Sequence, residues 1–85
     1  MKSLHVIRDP NERLGLEIAS RESGQGRVSL LLIQDAVLTR LTLDGLAVYA
    51  LADDLEARGV KGHARSVDYD EAVRLMVDHD KVVVW

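Results

Sequence analysis

Gln34 and Asp35 follow directly on the apolar run Leu30-Leu31-Leu32-Ile33, and they are the residues best placed for chemistry. A run apolar on both faces reads as a strand of a parallel sheet covered on both sides. Open α/β sheets meet their ligands or partners at the carboxyl ends of such strands. Asp35 there either caps the helical turn that follows or lines an interface or pocket, and no His or Lys adjoins it in sequence to support acid–base work. Asp53-Asp54 could be a pair of catalytic carboxylates, but adjacent acids at a helix start more simply favour the positive end of its dipole. His5, His63 and His79 lack the spacing of a metal-ligand pair such as H-x-x-x-H. His79, near a helix end, suits the negative end of that dipole when protonated. Gly24-Gln25-Gly26 has the look of a phosphate loop but follows a helix and precedes a strand, the reverse of a dinucleotide loop, so it reads as a turn. Trp85, after three valines, is either a lid over the last helix or an anchor for another subunit.

The chain contains no cysteine. Disulfides, thiolate metal sites and thiol nucleophiles are therefore excluded within it. Its net charge is −3 with the basic residues scattered, so no basic face presents itself for nucleic acid. No apolar stretch approaches the ~18 residues of a membrane span, and the amino terminus lacks the apolar core of a signal peptide. A cytoplasmic protein is the expectation. Hydrophobic residues make up 47% of the 85, almost all aliphatic since Phe is absent. A domain of this size buries only roughly 60–65% of its unfolded surface. So high an apolar content implies a tightly double-wound fold, apolar surface covered by another chain, or both.

The elements that must position these residues alternate. Leu4 to Ile7 reads as a first strand. Asp9 as cap, Pro10 at the first helical position and Glu12 reaching back predict a helix start there. Leu14, Ile18 and Ala19 give that helix an apolar stripe, and residues 23–26 end it. Val28 to Ile33 predicts the second strand, followed by short helical turns and an Asp44-Gly45 turn. Leu46 to Leu51 predicts the third strand. Asp53 or Asp54 would cap the next helix, and Gly59 would close it after Arg58. Ser66-Val67 suggests a short strand. Asp68 with Glu71 opens the last helix, in which Tyr69, Ala72, Val73, Met76 and Val77 have the spacing of a buried face. Val82 to Trp85 is the last strand. The whole of 1–85 reads as a single Rossmann-like domain, a three-layer α/β/α arrangement on a mainly parallel sheet.

Three blocks taken in order carry a family resemblance: residues 30–37 (LLLIQDAV), 48–59 (VYALADDLEARG) and 67–75 (VDYDEAVRL) with the terminal Trp85. Together they resemble the DsrH/TusB family, the small subunit of the DsrEFH and TusBCD sulfur-relay complexes. The resemblance implies a Rossmann-like subunit without cofactor, packed against TusC/DsrF-like and TusD/DsrE-like homologues. It also implies a downstream TusE/DsrC-like sulfur acceptor. Complexes of this kind pass persulfide sulfur between protein cysteines, towards 2-thiouridine at the tRNA wobble position in one branch and sulfur oxidation in the other. Members from sulfur oxidisers carry a cysteine in the first helix, which aligns with Ala19 here. Alanine cannot hold a persulfide. The chain is therefore closer to the cysteine-free TusB type, a non-catalytic subunit, and its segment between Asp35 and Leu46 is shorter than usual there.

The expected partner-contact residues are Gln34, Asp35, Tyr49, Asp54, Arg58 and Trp85, with no catalytic, metal or cofactor residue and no direct contact to nucleic acid or membrane. Two other classes stay open. A phospho-receiver-like domain would use Asp35 as acceptor, but it needs a longer chain and an acidic pair after the first strand. A free-standing homo-oligomeric module would hold a small ligand on the same fold.

Overall fold

The computed structural model describes residues 1–24, 26–39, 46–61 and 64–85. The elements run β1 (Lys2–Ile7), α1 (Arg13–Glu22), β2 (Arg27–Leu32), a 3-10 turn (Gln34–Leu38), β3 (Ala47–Leu51), α2 (Ala52–Ala57), β4 (Arg65–Val67), α3 (Tyr69–Asp78) and β5 (Lys81–Val84). The five strands form one sheet in the order β4-β3-β2-β1-β5, and every pairing is parallel. The expected α/β class and parallel sheet are present. Val6, Leu31, Tyr49 and Arg65 lie in register across four strands, so their side chains share one face.

Each sheet face holds its own core. On one face Ile7, Val28, Leu30 and Leu32 pack beneath Ala19 of α1, Ala36 and Val37 of the 3-10 turn, and Leu55 of α2. On the other, Leu4, Val6, Leu31 and Val67 lie under Ala72, with Leu75 packed alongside. After its first residue every position of β1 and β2 is buried, as the unbroken apolar run of β2 requires of a strand covered on both sides. Two sheet faces and three helices thus give the three layers. One of those faces has only α3 to cover it.

Several local expectations are corrected. The first helix starts at Arg13 rather than Pro10. Asp9 spends its acceptors on a turn, its Oδ1 taking the Asn11 N–H at 2.9 Å and its carbonyl the Glu12 N–H at 3.1 Å. Glu12 becomes the cap, accepting from the Gly15 N–H at 3.3 Å. Neither Asp53 nor Asp54 caps α2, because both fall inside its first turn and Leu51 occupies the cap position. Gly59 does close α2, at φ 63°, where a side chain would be strained. Asp68 and Glu71 form the reciprocal capping box that their spacing predicts. The Asp44-Gly45 turn, Gln25 and His63 lie outside the described residues.

The largest correction concerns α3. Only Ala72 of its expected stripe is buried, while Tyr69, Val73, Met76 and Val77 are exposed, Val77 at 78%. The helix rests on the sheet through Ala72 and Leu75 instead, one turn-edge away from the predicted face.

Candidate functional site

Four of the six expected contact residues converge at the carboxyl ends of β2 and β3. Gln34 turns the chain out of β2 with φ 51°, in the left-handed region that costs a side-chain-bearing residue about 1 kcal/mol or more. Its backbone N–H donates to Asp54 Oδ2 at 2.7 Å, which holds the corner in place. Arg58, one turn beyond Asp54, donates through Nε to Asp35 Oδ1 at 2.8 Å and reaches Asp54 Oδ1 at 3.4 Å. Asp35 therefore neither caps the 3-10 turn nor stands alone: it is tied to α2 by a guanidinium. Much of this pairing is open to solvent, so it orders the corner more than it stabilises the fold. Asp54→Ala, which removes the acceptor of a strained backbone, is expected to cost about 1–2 kcal/mol in urea unfolding. Arg58→Ala should cost less than half as much.

Tyr49 and Trp85 lie elsewhere. Tyr49 lines a shallow groove of about 200 Å³ on the α3 face, with Arg65, Val67, Glu71, Arg74, Leu75 and Asp78. Trp85 packs on the opposite face, over α1 and not over the last helix. Its indole lies so close to Gly15 that a Cβ there would meet ring carbons at 2.7–2.9 Å. Only glycine admits this approach. The indole Nε1–H donates to His5 Nδ1 at 2.9 Å, the Trp85 N–H to the Val6 carbonyl at 2.9 Å, and Arg8 Nε to the Trp85 carbonyl at 2.7 Å.

His5 is 1% exposed and holds Glu22 Oε2 at 2.9 Å through Nε2, while Lys81 Nζ holds Glu22 Oε1 at 3.0 Å. The His5 hydrogen bond first, and then that of Lys81, keep the Glu22 carboxyl below its ordinary value of 4.5, against a smaller opposing effect of burial. The sign follows: this carboxylate stabilises the fold fully above the unfolded value and the contribution is lost as pH falls through the lower folded value. Glu22→Gln should therefore lower the urea midpoint at pH 7, and the gap to the parent should close as pH falls below the ordinary carboxyl value of 4.5. His79, at the end of α3, donates from Nδ1 to the Leu75 carbonyl at 2.6 Å, as its position near the helix end suggests, and places Nε2 3.0 Å from Ser29 Oγ.

The feature missed in the sequence is apolar. Tyr69, Val73, Met76, Val77, Val82 and Val84 are six of the nine large exposed apolar side chains among the described residues. Val82 and Val84 register with Leu4 and Val6, so they point to the α3 face from the edge strand β5. Glu71, Arg74 and Asp78 flank α3 on the β3–β4 side, where they wall the Tyr49 groove. Helical geometry then turns Val73 and Met76 to the opposite, β5 side and leaves Val77 facing outwards. These exposed apolar side chains of the helix and of the edge strand lie on the same side of the sheet, a strip of the kind that marks an interaction surface rather than scattered surface apolars.

Chemically, neither place offers a nucleophile. The carboxyl corner presents two carboxylates bound by one guanidinium, and no group of three metal-ligating side chains occurs among the described residues. The capping box takes the first donors of α3, and α2 carries Asp53 and Asp54 in its first turn without a side-chain cap. Ala19 is fully buried against the sheet. No described helix is long and apolar enough to cross a membrane.

Comparison with known proteins places these features in a family. A family model described as DsrH like protein matches residues 10–82. The TusB protein of Pectobacterium parmentieri is 28% identical over 96% of this chain and 99% of its own length. The TusB of Escherichia coli strain ATCC 8739 is 39% identical over 66% of this chain and 73% of its own. That of Photorhabdus laumondii is 36% identical over the same shares.

Proposed function

The chain belongs to the DsrH family, and from that premise we propose that it is a non-catalytic subunit of a TusBCD-like sulfur-relay complex. Its task is to complete and position a cysteine-bearing neighbour that carries the persulfide. The absence of any cysteine carries this reading, since sulfur transfer between proteins proceeds through a thiolate. The buried setting of Ala19 supports it, because a thiol placed there would be enclosed in the core.

In this reading the partners are TusC/DsrF-like and TusD/DsrE-like chains in the cytoplasm. Sulfur leaves through a TusE/DsrC-like acceptor and ends in 2-thiouridine at the tRNA wobble position. The strip of α3 and β5 is the surface such a chain covers, with Gln34, Asp35, Asp54 and Arg58 forming a second contact at the carboxyl edge. The strip supports this through its make-up: an apolar centre bordered on α3 by the exposed Asp70 and Arg74 matches the apolar-core, polar-rim pattern of stable interfaces.

Co-expression with C-type and D-type homologues from the same genome tests the assignment. The expected result is one co-eluting complex, and loss of wobble 2-thiouridine when the gene for this chain is deleted. Persulfide formation or rhodanese-like turnover by the purified chain alone would overturn it. So would a stable homo-oligomer that ignores both homologues.

A further inference from the structure

We propose that His5 and Trp85 form a proton-sensitive latch that fastens the end of β5 to α1. The warrant is the hydrogen-bond chemistry of a buried imidazole. Indole Nε1–H can only donate, so His5 Nδ1, 2.9 Å away, must be an unprotonated acceptor. The single ring proton then lies on Nε2 and points at the Glu22 carboxylate, also at 2.9 Å. One tautomer of neutral His5 satisfies both partners, and the other satisfies neither.

A second proton has only one place to go. On Nδ1 it faces the indole N–H, so two donors are opposed at hydrogen-bond distance inside a core where His5 is 1% exposed. The imidazolium is compatible with Glu22 and incompatible with Trp85. Every charged group around the ring bears on this balance. Glu22 of α1 favours the second proton, while Lys81 of β5 draws on the same carboxylate through its other oxygen. Arg8, beyond β1, holds the Trp85 carbonyl and does not touch the ring, and Glu12 is engaged with the Gly15 N–H.

Protonation therefore expels the indole from its seat on Gly15 and from its near-coplanar, edge-to-edge approach to His5, with ring centroids 6.1 Å apart and planes at 17°. The rest of the sheet is not involved. What loosens is the end of β5, the strand that also presents Val82 and Val84 on the opposite face.

Trp85 is the sole tryptophan, so its emission reports the latch directly. Between pH 8 and 5, where imidazoles titrate, the expected result is a red shift and at least a twofold rise in acrylamide quenching, with far-UV circular dichroism unchanged. His5→Asn keeps an acceptor near the Nδ1 position without a titrating proton, and its emission should be flat over that interval. Ring ¹⁵N shifts of the unaltered chain give a test that needs no variant. They should show the Nε2–H tautomer of His5 at pH 8 and a Trp85 indole N–H signal that moves with the His5 midpoint. An Nδ1–H tautomer, pH-independent Trp85 emission, or an indole transition with a different midpoint or persisting in His5→Asn overturns the latch.

Discussion

Val77→Arg is expected to abolish association with a homologous partner while leaving the isolated chain at least as stable as the parent. Val77 is 78% exposed and lies in the last turn of α3. Arginine has the better helix propensity and its charge suits the negative end of the helix dipole, so the folded monomer loses nothing by the change. In an assembly that covers the strip, the same guanidinium is buried beside Val73, one helical turn back, without a partner. An unpaired charge in such surroundings costs several kcal/mol, and even 3 kcal/mol weakens binding more than a hundredfold. Val84→Lys, on the edge strand, should act in the same direction. Leu14→Arg is the control, because Leu14 is 58% exposed on α1, on the other side of the sheet. Pull-down by the C-type and D-type homologues, with urea midpoints of each variant alone, separates the outcomes. If Val77→Arg still co-elutes stoichiometrically, the strip is not the covered surface.

The strip also shows where a sequence pattern stops being informative. The spacing of Tyr69, Val73, Met76 and Val77 records that one flank of α3 is apolar. It does not say whether the cover comes from this chain or another, and in the folded monomer the cover is missing. The strands were legible because β1 and β2 are buried on both faces, which is written most plainly into the consecutive Leu30, Leu31 and Leu32. The capping box of α3 was legible because its two partners are three positions apart. Long-range pairings leave no such trace. Asp54 meets the Gln34 N–H across 20 positions and Trp85 meets His5 across 80, and nothing local to either residue names its partner. Gln34, Asp35, Asp54 and Arg58 do lie together at one edge, since parallel strands bring their carboxyl ends there whatever the contacts made. Tyr49, a mid-strand residue, lies apart from them. Of the two readings of Trp85, the lid over the last helix took the wrong helix, because which face the last aromatic takes depends on a single-residue register.

Gly15→Ala should change sign with the residue at position 85. In most helices this substitution gains about 1 kcal/mol from propensity alone. Here the new Cβ would stand 2.7, 2.8 and 2.9 Å from Cγ, Cδ2 and Cδ1 of Trp85, at the root of the ring rather than its free end. The indole cannot tilt away without giving up its bond to His5, and the backbone beneath it is held by Val6. Overpacking of this kind costs about 1–3 kcal/mol, so the net effect in the parent is destabilising by about 1 kcal/mol. Trp85→Ala alone should cost about 3 kcal/mol, from lost packing and an orphaned acceptor on buried His5. In that background the clash is gone, and Gly15→Ala should stabilise by about 0.5–1 kcal/mol. The four urea midpoints of this cycle give a coupling of about 2 kcal/mol, provided the slopes agree. The same sign in both backgrounds would mean that the indole does not rest on Gly15. The close approach explains why a helix otherwise weakened by glycine keeps one: it leaves the space in which the last residue reaches the histidine of the first strand.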